Sequence, residues 1–364
     1  MSGAGEFAID GRPLRVLVAT DAWHPQVNGV VRSLDAVARE APALGAELRF
    51  LTPEGYRGFR MPTYPEIRLS VVSPGEIARR IDSEAPDHLH IATEGPIGLL
   101  ARRHCLKRNL PFTTSYHTKF PEYVAARLPV PETLSYAMLR HFHNAAAGIM
   151  VSTASLEADL AGRGFRRLLR WSRGVDTTLF HPDRRPVLDL PRPISLFVGR
   201  VAVEKNIEAF LAQDVPGSKV VVGDGPARAS LAARFPEVHF LGLKEGEALA
   251  DIYASADVFV FPSLTDTFGI VLLEALASGL PVAAFPVTGP LDVIGDRPVG
   301  ALDMDLGAAI RRALDCSREA CRAHALRYSW TESAREFLGN VRRCMAPPSA
   351  YRKARIRSSV ESEA

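Results

Sequence analysis

The sequence predicts an α/β protein with two doubly wound sheets, one in each half, facing each other across a cleft. Three observations support this. Short apolar runs rich in Val, Ile and Phe alternate with longer amphipathic stretches, the order that gives parallel sheets covered by helices. The alternation starts afresh at Ile194, after the Pro-rich, charged stretch Phe180–Pro193. A length of 364 residues is enough for two domains of ordinary size, each with its own core.

The first domain, residues 1–180, opens with a strand over Arg15–Thr20, where apolar residues end in turn formers. A helix follows over Asn28–Leu44, then a strand at Leu48–Leu51. Further strands are expected at Ile67–Val72, His88–Ala92, Phe112–Tyr116 and Gly148–Ser152, with helices between most of them. The second domain, residues 181–346, repeats the scheme with strands at Ile194–Gly199, Lys219–Val222, Val238–Leu241, Val258–Phe261 and Val282–Phe285. Residues 347–364 are basic and then polar, and are expected to form a loose tail. Right-handed crossovers wind each sheet both ways, and ligands of such sheets bind at the C-terminal ends of the strands.

With 47% hydrophobic and 23% charged residues, the composition excludes disorder over most of the chain. There is no run of about 18 apolar residues to cross a membrane, and the start MSGAGEFAIDGRPLR has no apolar segment typical of a secretory signal. A cytoplasmic protein is expected, without an integral membrane segment. Cys105, Cys316, Cys321 and Cys344 lack metal-binding spacing and are expected as reduced, non-catalytic thiols. Residues 1–175 hold 22 Lys and Arg against 17 Asp and Glu, whereas residues 176–364 hold 22 against 24. A basic first half suits an anionic partner; chance variation in surface charge accounts for it nearly as well.

Function is expected in the loops at strand ends. The most informative stretch is Pro262–Ala275, the end of a buried strand, a polar loop and a helix. Thr265 or Asp266 is placed to cap that helix, and Gly269 lets backbone amides approach a ligand. Amide groups at a helix start bind anions, and the carboxylates Asp266 and Glu274 can accept from sugar hydroxyls. After the first strand, Asn28 can cap the next helix while Gly29 permits close approach to a phosphate. His117, at a strand end among hydroxyls and Lys119, suits a site better than a core. Arg200 and Lys205 would converge on a diphosphate, the one as a fork and the other as a point charge.

Other motifs point away from chemistry. Gly223-Asp224-Gly225-Pro226 begins like a dinucleotide fingerprint, but Arg228 stands where the third glycine belongs. Gly225 is expected as a tight turn, with Pro226 opening a helix. In Asp303-Met304-Asp305, the last aspartate is placed as a helix cap rather than a metal ligand. A helix beginning near Pro131 carries Leu134, Met138 and Phe142 along one row, with Arg140, His141 and His143 nearby. Packing on the core and resting on an anionic membrane fit this helix equally, since Arg127 and Arg102-Arg103-His104 add basic flanks.

PSLTDTFGIVLLEALASGLPV resembles the donor-site signature of retaining family 4 glycosyltransferases, Glu-x7-Glu, with Asp266 in place of the first glutamate and Glu274 matching the second. DAWHPQVNGVVRSL is similar to the opening of family members that glycosylate lipids, among them sulfoquinovosyl- and glucosyl-diacylglycerol synthases and related mannosyltransferases. Gly199-Arg200-x4-Lys205 also fits the family, and the likeness spans about residues 14 to 340. The resemblance implies the GT-B fold and retaining transfer of a hexose from a nucleotide sugar. It implies that Arg200 and Lys205 hold the diphosphate and Glu274 the ribose. Asp266 and the backbone of Phe268, Gly269 and Ile270 would hold the sugar, His117 would orient it, and the Gly29 loop would close on the phosphates. The leaving diphosphate would help deprotonate the acceptor, with no metal and no cofactor. The expected donor is UDP-glucose or another UDP-hexose. The expected acceptor is a membrane lipid such as diacylglycerol, met at the inner face of the cell membrane; no nucleic acid is involved. A GDP-mannose-dependent α-mannosyltransferase is the nearest alternative, and a non-catalytic nucleotide-sugar-binding module the alternative of another class.

Overall fold

In the computed structural model, residues 5–26, 28–61, 64–125 and 131–345 are described. Arg127 and the tail from 347 onward lie outside them. The first sheet contains β1 (Leu14–Ala19), β2 (Ala46–Leu51), β5 (His88–Ile91), β6 (Phe112–Ser115), β7 (Gly148–Val151) and β8 (Leu168–Arg170), in the order β2-β1-β5-β6-β7-β8. The second contains β9 (Ile194–Val198), β10 (Ser218–Val222), β11 (His239–Gly242), β12 (Val258–Phe261), β13 (Val282–Ala284) and β14 (Gly300–Leu302), in the order β11-β10-β9-β12-β13-β14. Every pairing within both sheets is parallel. This is the α/β, doubly wound architecture expected from the alternation of elements.

Side chains of one strand feed two cores. Along β9, Ile194, Leu196 and Val198 enter one apolar cluster and Phe197 enters the cluster on the opposite face. Covered on both faces, β5, β6, β7, β9, β12 and β13 are buried throughout, which is why most of their residues are apolar.

The segment around residues 67–72 departs from expectation. It belongs to β4 (Tyr64–Val71), which pairs antiparallel with β3 (Arg57–Met61) in a separate hairpin. β3 lies immediately before β4 in the chain, and antiparallel neighbours need only a short connection whereas parallel ones need a crossover. The short edge strands β8 and β14 carry too few residues to register as periodic runs.

The helix Gly29–Glu40 is capped by Asn28, whose Oδ1 accepts from the amides of Val30 and Val31 at 3.0 Å. Its buried residues Leu34 and Val37 pack on the first sheet. The last helix, Trp330–Cys344, follows the second sheet in the chain but packs with the first domain. Ala334, Phe337, Leu338 and Val341 join Leu14, Val16, Val18 and Trp171 in one cluster. Trp171 Nε1 donates to Ser333 Oγ at 3.1 Å, and Asn340 Nδ2 to the Arg170 carbonyl at 2.7 Å. Chain order groups this helix with residues 181–346; packing groups it with the first sheet. Among the described residues, no helix is long and apolar enough to cross a membrane.

Candidate active site

Strand order reverses between β1 and β5 in the first sheet and between β9 and β12 in the second. Crevices open at such points, and the loops beginning at Thr20, Ala92, Gly199 and Pro262 leave the C-terminal ends of these four strands. Three helices start beside them. The helix Pro96–Lys107 is closed to any anion, because buried Asp21 accepts from the amides of Ile97 (2.9 Å) and Gly98 (3.2 Å) and from Thr93 Oγ1 (2.9 Å). Burial raises the pKa of that carboxyl, and the two amides and the hydroxyl oppose the rise. The helix starting at Gly29 has two of its amides taken by Asn28.

The helix Ile270–Ala277 has no side-chain cap. Thr265 and Asp266 do not cap it, because the chain still crosses Thr267, Phe268 and Gly269 before the helix begins, and a cap must adjoin the first turn. Gly269 fills the cap position at φ 83°, a left-handed conformation that disfavours a side chain. A Cβ there would also lie 3.0 Å from Phe261 Cζ. The uncapped amides therefore remain available at the cleft. Across the cleft, a Cβ built on Gly29 would meet Ile270 Cδ1 at 3.7 Å, so the two helix starts face each other at contact distance. Phe268 is a core residue whose ring joins the cluster under the second sheet, leaving only its backbone for a ligand.

Lys205 Nζ donates to both oxygens of Asp266, at 2.6 and 2.7 Å. Arg200 Nη1 lies 3.4 Å from Glu204 Oε1. The two loops are tied by Asn206 Nδ2, which donates to the Pro262 carbonyl at 3.1 Å. The Gly223–Gly225 loop packs beneath them through its backbone. Val201 N donates to the Asp224 carbonyl at 2.9 Å, and Ala227 N to the Val201 carbonyl at 3.0 Å. A Cβ on Gly223 would fall 1.9 Å from the Gly199 carbonyl oxygen, so this glycine serves loop packing. Pro226 does not open a helix; it lies in a turn, and the helix Arg228–Arg234 begins two residues later. Asp305 does cap its helix, accepting from Ala308 N at 3.1 Å, while Asp303 pairs with Arg312 at 2.6 Å.

Glu274 is only 4% exposed and is engaged from both sides. Its Oε1 pairs with Arg32 Nη1 at 2.7 Å, and its Oε2 accepts from Tyr253 Oη at 3.0 Å. Glu274 holds the Arg32 guanidinium above its ordinary pKa despite burial, and burial keeps the Tyr253 phenol protonated. Arg32 comes from the first domain, so this pair bridges the cleft. The sequence offered one signal for it: a cation in the first turn opposes the helix dipole unless a carboxylate answers it. A cavity of about 640 Å³ borders the pair, lined by His24, Arg32, Phe180, Ile270, Glu274 and Trp330.

His117 follows β6 and meets the loop that leads into the helix Ile270–Ala277. Thr267 Oγ1 donates to the His117 carbonyl at 2.7 Å, and Ser152 Oγ donates to the Thr267 carbonyl at 2.9 Å. Arg173 Nη2 lies 3.4 Å from the imidazole Nδ1. Nε2 is buried with no hydrogen-bond partner among the described residues. Burial, reinforced by Arg173, lowers the His117 pKa well below that of a free imidazole, so the ring is neutral at physiological pH. Further bridges join the domains: Asp292 accepts from Ser155 N at 3.0 Å and from Ser155 Oγ, and Lys119 Nζ donates to Thr288 Oγ1 at 3.3 Å. The structure thus gathers Gly29 with Ile270, Lys205 with Asp266, and His117 with the Thr267–Gly269 turn. It adds Arg32, Ser152, Arg173, Tyr253 and Thr267, which sequence reasoning did not find.

Residues 27–179 match the family described as Glycosyltransferase Family 4, and residues 192–315 the one described as Glycosyl transferases group 1. The chain is 31% identical to a GDP-mannose-dependent alpha-mannosyltransferase of Mycobacterium tuberculosis, over 90% of this chain and 96% of the relative. It is 32% identical to the sulfoquinovosyl transferase SQD2 of Arabidopsis thaliana, over 68% of this chain and 52% of that protein. A solved structure of sucrose-phosphate synthase from Thermosynechococcus elongatus superimposes with a TM-score of 0.67, at 18% identity, covering 97% of this chain and all of that one. With two such sheets, these loops at their switch points and full-length relatives of this kind, the chain belongs to glycosyltransferase family 4 and has the GT-B fold.

Proposed function

We propose that this enzyme transfers a hexose, with retention of configuration, from a nucleoside-diphosphate sugar to a hydroxyl of a lipid-linked acceptor. The observation that carries this reading is the uncapped start of the helix Ile270–Ala277, facing Gly29 and flanked by the Lys205–Asp266 pair. A diphosphate seated there meets backbone amides and a lysine, with Arg200 on the same loop as Lys205. These groups stabilise the negative charge that grows as the sugar departs. Asp266, freed from Lys205 by the incoming phosphates, accepts from sugar hydroxyls, and His117 addresses the sugar from the opposite domain. Glu274 takes the ribose hydroxyls when Arg32 yields one carboxylate oxygen. No side chain serves as covalent nucleophile in this scheme; the leaving diphosphate takes the acceptor's proton on the face it vacates, and the protein contributes position and charge.

GDP-mannose is the donor favoured by full-length likeness to the mycobacterial mannosyltransferase. UDP-hexose transfer to diacylglycerol is the second reading, favoured by likeness to an alpha-monoglucosyldiacylglycerol synthase of Streptococcus pneumoniae. A lipid acceptor is supported by the helix Glu132–His143. Tyr136, Leu139 and Phe142 are buried in it, whereas Leu134 and Met138 stand 55% and 68% exposed. A shallow depression beside them is lined by Arg102, Arg140, His141 and Arg166, apolar and basic groups together as an anionic bilayer requires. The test is transfer from radiolabelled GDP-mannose, UDP-glucose, UDP-galactose and UDP-glucuronate in mixed micelles, offered diacylglycerol or a glycosylated lipid. Label from GDP-mannose in the organic phase is the expected result. Label from a UDP-hexose on diacylglycerol would establish the second reading, and saturable donor binding without turnover would leave only a binding module.

A further inference from the structure

The geometry points to Arg173 as a positioning residue, one that fixes His117 in the Nε2–H form and presents that N–H as a hydrogen-bond donor to the transferred sugar. This rests on the reading that His117 faces the sugar. Arg173 is 5% exposed and held on every side. Nη1 donates to the carbonyls of Trp171 (2.7 Å) and Ser172 (3.0 Å), and the guanidinium carbon lies 4.0 Å from the centre of the Trp171 ring. The support behind it comes from the last helix. Glu336 Oε2 accepts from Ser172 N and Ser172 Oγ at 2.7 and 2.8 Å, and Ser333 Oγ donates to the Ser172 carbonyl at 2.9 Å. What remains is Nη2, 3.4 Å from His117 Nδ1.

A guanidinium only donates, so Nδ1 must present its lone pair. A neutral imidazole then carries its single hydrogen on Nε2. That atom is the buried nitrogen left without a partner among the described residues. At a ligand site such a donor can be matched by an acceptor the ligand brings, and the hydroxyl oxygens of a hexose are acceptors of that kind. The other tautomer would set an N–H against the guanidinium and turn a lone pair toward the sugar. Ring contact at 5.7 Å with Trp171, edge to face, sets the tilt of the imidazole. Arg173 and Trp171 together therefore fix both the proton's location and its direction. The sequence gives no local sign of this, since 56 residues separate Arg173 from His117.

The experiment is long-range proton–nitrogen correlation on full-length protein with 15N-labelled histidine, His117 being assigned by its loss in His117→Gln. The wild type is expected to show His117 neutral and protonated at Nε2. Arg173→Met is expected to bring in the Nδ1–H form and to lower kcat roughly 10–100-fold, the range for loss of an orienting partner, with little change in donor KM. Arg173→Lys, which keeps a cationic donor, is expected to restore the Nε2–H form and part of kcat; if the methionine variant fails to fold, the wild-type tautomer itself tests the assignment. An Nδ1–H imidazole in the wild type, or a tautomer unmoved in both variants, would overturn the assignment. A tautomer that shifts while kcat stays constant would overturn it as a positioning role. Absence of transfer by the wild type from every donor would sink the proposed reaction, and the nitrogen spectra would still decide what Arg173 does to the ring.

Discussion

Asp266 is one methylene shorter than the glutamate of the family signature, yet both its oxygens reach Lys205. The pair keeps the lysine at the mouth of the helix Ile270–Ala277, where the proposed reaction would have it exchange a carboxylate for a diphosphate. In the proposed reaction Lys205→Ala removes a charge that faces the leaving group, and such losses in preorganised sites cost on the order of 10²–10³ in kcat. Steady-state rates of donor consumption should show that drop, with Lys205→Arg recovering part of it. At this scale the sequence was informative wherever chemistry-bearing residues sit in a strand-end loop, as His117, Arg200, Lys205 and Asp266 do. It gave no partner for Arg32 and no sign of Tyr253 or Thr267. Arg32 meets its carboxylate across 242 positions of chain, and no local spacing encodes a partner so distant.

The helix Ile270–Ala277 has no side-chain cap, and Gly269 at the cap position is what keeps it so. An alanine there would take a left-handed backbone, which costs roughly 1–2 kcal/mol, and would press its Cβ against Phe261, 3.0 Å away. Gly269→Ala should lower the melting temperature by a few degrees and weaken nucleotide binding as the first helical amides tilt. Calorimetric scanning and titration with nucleoside diphosphate check the two effects separately. Strands and helices with strong periodicity were legible in the sequence, β1 and β9 above all. The cap at the helix start was misjudged because Thr265 and Asp266 have the right chemistry three to four residues too early. The strand at 67–72 was found but counted among those of the first sheet, since a short run shows its own extension and not the strand it pairs with.

Taken whole, the molecule is two domains held together by Arg32–Glu274, Thr267 with His117 and Ser152, Asp292–Ser155 and Lys119–Thr288. Each contact lies at or beside the cleft, so ligand entry and domain closure act on the same groups. Arg32→Ala would leave a buried carboxylate with Tyr253 alone, about 1–3 kcal/mol of lost partnership that falls on the closed form. Small-angle scattering should show a larger radius of gyration for unliganded Arg32→Ala than for wild type, the difference shrinking at saturating donor. Two facing doubly wound domains could be foreseen from the restart at Ile194; the return of the last helix to the first sheet could not, because its apolar stripe fits either domain. That return has a consequence for the order of assembly. On a ribosome, β1 to β8 emerge long before Trp330–Cys344, and until that helix arrives Leu14, Val16, Val18 and Trp171 lack part of their cover. The domain made first is therefore the one completed last, and a nascent chain must carry an open apolar face through synthesis of the entire second domain.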